Sequence, residues 1–197
     1  MAFLSKSLRV ILLLVFLFSV CHISWAQETK PRWLQSIDFL TGYATGNLKA
    51  KRDYNFTPLF VGFNFSLKPA LEKIKINYPG LLQFVLEPFI SYVYSPDNNM
   101  EAGNNFLFKI GILPETSKFQ PYIKGGAGIV YITQRSPTQS TQFNFNEYGG
   151  AGMHYFFKKN MAVTLEYRFR HLSNAGIKKP NSGINSQFAL CGITVNF

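Results

Sequence analysis

From about residue 35 onward the chain is written in short alternating segments. In "TPLFVGFNFSL", Leu59, Val61, Phe63, Phe65 and Leu67 fall on one face of an extended chain, and Gly62, Asn64 and Ser66 on the other. In the last segment Ala189, Cys191, Ile193, Val195 and Phe197 share a face, opposite Gly192, Thr194 and Asn196. Phe, Tyr, Ile and Val dominate these segments, and Asn, Gly, Pro, Ser and Lys separate them, which is strand-and-turn punctuation. The pattern predicts eight strands, near 35–46, 54–67, 81–95, 103–113, 119–133, 142–157, 161–173 and 186–197.

The start of the chain reads differently. Lys6 and Arg9 precede "VILLLVFLFSV" (residues 10–20), and "SWA" (residues 24–26) follows at cleavage distance. A basic region, a short apolar run and a small-residue site make a secretory signal. The apolar run is too short to span a membrane as a helix. Residues 1–26 are therefore expected to be a signal peptide, and 27–197 a single barrel domain. Removing Lys6 and Arg9 with the signal lowers the formal net charge from +10 to +8. It leaves Cys191 as the lone cysteine, so no intrachain disulfide forms, and His154 and His171 as the remaining histidines. Nucleic acid is a poor partner for an exported basic chain; anionic lipid head groups suit it, as does plain solvation of basic loops.

Alternation alone also fits an exported soluble β-sandwich. Export, an even strand count, strands long enough to cross a tilted bilayer path and the closing aromatic Phe197 favour a membrane barrel. The expected fold is all-β: an eight-stranded antiparallel up-and-down transmembrane β-barrel in the bacterial outer membrane. Extracellular loops are expected near 47–53, 96–102, 134–141 and 174–185. Periplasmic turns are expected near 68–80, 114–118 and 158–160, the first being long for such a turn. The glycine runs Gly125–Gly128 and Gly149–Gly152 (the first includes Ala127, the second Ala151) suit a crowded small-barrel interior.

Strand seven, "MAVTLEYRFRHLS", poses the functional question. Met161, Val163, Leu165, Tyr167 and Phe169 share one face; Glu166, Arg168 and Arg170 share the other. The charged face belongs in the lumen and the apolar face against lipid. His171 and Ser173 continue the lipid-facing row. Ten steps of about 3.3 Å from Met161, tilted by ~45°, lift His171 by ~23 Å, to the outer edge of the apolar band. If Met161 opposes Val195, then Leu165 faces Cys191 and His171 faces Asn185, within hydrogen-bonding reach. Ser173, His171 and Asn185 then present a nucleophile, a base and an orienting group on one surface. Asn174, Gly176, Asn181 and Gly183 follow in the loop, where Asn side chains and backbone N–H groups can hold an oxyanion. The bland alternative is a rim of ordinary interfacial polar residues and turn formers.

Glu147 interrupts the apolar row of strand six. With Met161 opposite Tyr155, it would face Phe169 and lie diagonal to His171, a candidate supporting acid; the alternative is a bulge that turns it inward. His154 falls on the lumen row of the same strand. No cluster has metal-ligand spacing, and "KGGAG" sits within a strand rather than before a helix.

The stretch "RHLSNAGIKKPNSGIN" resembles the signature of the lipid A 3-O-deacylase family of outer-membrane enzymes, and "PYIKGGAGIVY" and "FNEYGGAGMHYFF" are similar to it more weakly. The resemblance implies an eight-stranded barrel whose site faces the outer leaflet. It also implies hydrolysis of the ester at position 3 of lipid A, without a cofactor. By this resemblance His171 is the general base, Ser173 the nucleophile, and Asn174 and Asn181 help to form the oxyanion hole. One position departs from the family pattern: its third triad member is a glutamate, and here it is Asn185. The expected partner is lipopolysaccharide, with Lys178 and Lys179 available to its phosphates; a homodimer stays open. A non-catalytic barrel binding lipopolysaccharide or a surface partner is the alternative, and a phospholipase would use the same Ser and His.

Overall fold

The computed structural model describes residues 33–48 and 52–197. The expected signal peptide, 1–26, lies outside the described residues. Eight antiparallel strands close on themselves in chain order, β1 against β8. They are β1 (Leu34–Leu48), β2 (Arg52–Ser66), β3 (Gly80–Ser95), β4 (Asn99–Pro114), β5 (Phe119–Ile132), β6 (Phe143–Lys158), β7 (Met161–Ser173) and β8 (Ile184–Asn196). Closure leaves no sheet edge, so every strand finds its backbone partners within the ring.

Two connections differ from expectation. β4 begins at Asn99, not 103, because Glu101 is not a loop residue: it points into the lumen and pairs with Arg170. The long 68–80 segment holds a short helix, α1 (Lys68–Lys73), opened by Pro69, whose fixed φ suits a first helical turn. Lys68 ties it to Glu115 of the neighbouring turn at 3.0 Å.

The lumen is filled, as an eight-stranded barrel requires. At the end of the barrel carrying the short turns, Lys109 pairs with Asp38 at 2.7 Å. His154 is buried there, as its position in the alternation predicts, hydrogen-bonded to Thr164 and stacked on Tyr122. Above them Arg168 bonds Glu87 through both terminal nitrogens (2.7 and 2.9 Å) and also pairs with Glu166, while Lys124 bridges Glu87 and Glu166. Next come Phe56, Phe60, Tyr148 and Phe188, with the Arg168 guanidinium over Phe60 and that of Arg170 over Phe56. Arg170 then holds Glu101, whose carboxylate also accepts from Tyr54. Four buried acids (Asp38, Glu87, Glu101, Glu166) thus meet four buried bases (Lys109, Lys124, Arg168, Arg170). Buried charges are tolerated only when paired in this way.

The crowding explains the inward glycines. A Cβ on Gly152 would lie 2.6 Å from Tyr122 Oη and 2.7 Å from Glu166 Cγ. Leu172 and Ile184 extend the interior apolar layer at the other end of the barrel, directly behind the residues of interest. The outward rows are apolar and exposed, among them Tyr43, Leu59, Ile90, Phe108, Ile123, Tyr167 and Phe169. β7 follows the predicted division: Glu166, Arg168 and Arg170 inward, Val163, Leu165, Tyr167 and Phe169 outward.

Candidate active site

β7 and β8 pair in the predicted register, Met161 opposite Val195, Leu165 opposite Cys191 and His171 opposite Asn185. The last pair is bonded: His171 Nδ1 lies 2.7 Å from Asn185 Oδ1. An amide oxygen can only accept, so Nδ1 is the donor in this bond and Nε2 is left outside it. The backbone of Gly183 closes over the ring. It has φ +70°, and a Cβ there would meet His171 Cε1 at 2.7 Å and Nε2 at 3.3 Å. The imidazole is therefore held by Asn185 at one corner and by bare glycine backbone at its tip.

His171, Asn185 and Gln187 line an outward groove of about 580 Å³, bordered by Thr45, Gly46 and Asn47 of β1 and Phe169 of β7. It runs along the barrel's outer surface, and Arg170 and Ser186 of the inward rows also border it. The access it offers is from the side of the barrel.

The β6–β7 register corrects the expectation for Glu147. Met161 faces Lys158 rather than Tyr155, an irregularity next to Phe156 absorbs the offset, and Tyr155 faces Val163. The strand is slipped by two residues from the expected pairing, so Glu147 lies directly opposite His171, and Phe169 faces Gly149. Glu147 is exposed on the outward row between Phe145 and Gly149, with no inward-turning bulge.

Ser173 ends β7 on the same face as His171, half-buried and opposite Phe145. Positions two apart on a strand are separated by about 6.6 Å. Its Oγ accepts a long hydrogen bond (3.4 Å) from Ala175 N–H and makes none to His171 among the described residues. A short turn follows at once. Asn174 Oδ1 accepts from Gly176 N–H at 3.0 Å, and Ala175 sits at φ +53°, a left-handed conformation that costs a non-glycine residue about 1–2 kcal/mol.

Asn174 is fully buried, and its amide donates to Lys178 O (2.7 Å) and Ser140 Oγ (3.3 Å). Its own N–H donates to Asn181 Oδ1 at 3.1 Å. The two asparagines are thus brought together after Ser173. In this conformation Asn174 organises the loop, while Asn181 Nδ2 makes no hydrogen bond among the described residues. Loop 133–142 holds the arrangement from the side. Gln139 forms a bridge with Asn181 and accepts from Gly183 N–H, Ser140 N–H donates to Pro180 O, and Ser182 N–H donates to Thr138 O. Gln139, Ser140 and Ala175 were not legible as site residues. Their roles depend on two loops meeting, and no local spacing signals that.

Fold and site together define an outer-membrane β-barrel with a polar Ser/His/Asn cluster at the edge of its lipid-facing surface. A family model for lipid A 3-O-deacylase (PagL) matches residues 19–194, and the chain belongs to that family of hydrolases acting on lipid A. Among solved structures, the outer membrane enzyme PagL is similar at 20% identity and TM-score 0.58, over 81% of this chain and 99% of that one. Neisserial surface protein A is similar at 14% identity and TM-score 0.57, over 82% of this chain and 96% of that one. At such identities the likeness is one of fold. No curated protein matches the chain.

Proposed function

We propose that the protein is a serine esterase that removes the 3-O-linked 3-hydroxyacyl chain of lipid A from the outer leaflet. The observation that carries this reading is the 2.7 Å bond from His171 Nδ1–H to Asn185 Oδ1, on the outward face and on the row that ends in Ser173. It supports a histidine whose free Nε2 serves as a base towards lipid. A soluble substrate in the lumen would not meet it.

In the proposed reaction Ser173 turns its Oγ to His171 Nε2 and gives up its proton while attacking the acyl carbonyl. Asn181 Nδ2 and the N–H of Ala175 are the donors available to the developing oxyanion, and Asn174 keeps both in place through the loop. The imidazolium returns the proton to the sugar 3-oxygen, which leaves as the alcohol. Water, deprotonated by the same imidazole, then cleaves the acyl-enzyme and releases the 3-hydroxy fatty acid. Lys178 and Lys179, exposed in the loop after Ser173, suit the phosphates of the same lipid as point charges.

The second reading is a barrel that binds lipopolysaccharide or a surface partner without chemistry. Asn185 favours it, since an amide cannot offset an imidazolium, and exchanging a triad acid for its amide can cost about four orders of magnitude. The fold does not choose, being as like Neisserial surface protein A as PagL.

Mass spectra of lipid A from outer membranes containing the wild type or Ser173→Ala separate the two. Loss of one 3-hydroxyacyl group with the wild type alone is expected. Intact lipid A in both, with both barrels folded, would leave the non-catalytic reading.

A further inference from the structure

We propose that Glu147 supplies the negative charge that Asn185 lacks, so that the work of a triad acid is divided between the two strands flanking His171. The inference deepens the esterase reading and rests on it. One cross-strand row runs Glu147, His171, Asn185, with His171 directly opposed on both sides. Asn185 holds the Nδ1 proton and so fixes tautomer and ring orientation, but it is neutral. Glu147 stands on the opposite flank, where directly opposed Cβ atoms lie about 4.5–5.5 Å apart.

The carboxylate has no other evident employment. It is exposed on an outward row of Phe143, Phe145, Gly149, Ala151 and Met153, and it forms no ion pair or hydrogen bond among the described residues. An ionised side chain on the lipid face is costly without a use. Its neighbour across β5 is Ala127, and a Cβ on Gly149 would meet nothing within 4 Å, so the side chain has room to reach towards His171.

The other charged groups around the imidazole do not offer the same service. Arg170 on its own strand is turned inward and bound to Glu101. β8 presents Asn185 and Gln187, the latter bonded to Tyr167, and β1 beyond it presents Asn47. The following loop contributes the cations Lys178 and Lys179. Glu147 is therefore the anion available to an imidazolium formed when His171 takes the serine proton. It acts through His171, as a positioning residue, by its field. Opposite unit charges about 6 Å apart at an effective dielectric near 20 attract enough to change a rate by roughly 100-fold.

The test measures kcat and KM for lipid A deacylation in detergent micelles, for the wild type, Glu147→Gln, Asn185→Glu and the double variant, with folding followed by heat-modifiable gel mobility. Glu147→Gln should lower kcat by about 100-fold at unchanged KM, and Asn185→Glu added to it should restore most of the loss by returning a charge from the other side. Wild-type kcat in Glu147→Gln overturns the proposal, and so does a loss that Asn185→Glu fails to recover in a folded barrel. An inactive wild type that Asn185→Glu activates also overturns it, while leaving Ser173 and His171 as the esterase site. If both are inactive, the esterase reading falls as well.

Discussion

Replacing Gly183 by alanine presses directly on the imidazole. The new Cβ would sit 2.7 Å from His171 Cε1 and 3.3 Å from Nε2, where carbon atoms prefer about 3.5–4.0 Å. The ring must retreat by roughly 0.8 Å. Leu172 O, 3.2 Å from the same Cβ, is backbone in the β7–β8 ladder and yields less readily. Rotation of the imidazole is the cheap relief, and it pulls Nδ1 off Asn185 Oδ1 and turns Nε2 away from the path Ser173 takes in the proposed reaction. A misplacement near 1 Å costs on the order of 100-fold in rate. Backbone strain is a separate effect, because φ is +70°, and should cost about 1–2 kcal/mol of stability. Gly176→Ala is the matched control. Gly176 also has positive φ (+78°), but a Cβ there meets nothing within 4 Å. Both variants should lose the strain share of stability in thermal unfolding, Gly183→Ala more because of its added contacts, and Gly183→Ala alone should lose about 100-fold in kcat on lipid A in micelles. Should Gly183→Ala keep a kcat within about threefold of Gly176→Ala, the idea that glycine backbone holds the base in place would be wrong.

Two further outcomes follow from the lumen and the loops. Arg168→Ala strips Glu87 of its two-pronged partner and leaves Lys124 to face both Glu87 and Glu166. Uncompensated buried charge should destabilise the barrel by about 3–5 kcal/mol, read as a lower denaturant midpoint for loss of the folded gel band, and an unchanged midpoint would mean the pairs are not holding the strands. Gln139→Ala removes the acceptor for Gly183 N–H and the donor to Asn144, each worth about 1 kcal/mol, while leaving the barrel ladder intact. The loop after Ser173 should then be cut faster by trypsin after Lys178, with deacylation reduced and the barrel core still resistant. Equal cleavage rates would show that loop 133–142 does not secure the site.

Much of this protein is visible in its sequence because a strand's side-chain period is two. Alternation separates lipid-facing from lumen-facing rows, so the inward Glu166, Arg168 and Arg170, the inward His154 and the outward His171 could be assigned without coordinates. The β7–β8 pairing, with His171 facing Asn185, was legible in the same way, once Met161 was set against Val195. Period two has a blind spot, however. A slip of two residues leaves every side chain on its own face, so no hydrophobic pattern can detect it. That is why Glu147 looked diagonal to His171, and why only the irregularity beside Phe156 sets it directly opposite. The lumen pairs were hidden for a different reason. Arg168 and Glu87 stand 81 positions apart, as Arg170 and Glu101 stand 69 apart, and the choice of partner depends on barrel closure bringing β3, β4 and β7 around one axis. The loop that follows Ser173 takes its shape from a second loop arriving from the end of β5, and the three-dimensional meeting of Gln139, Ser140 and Asn181 is what decides which of its donors remain free.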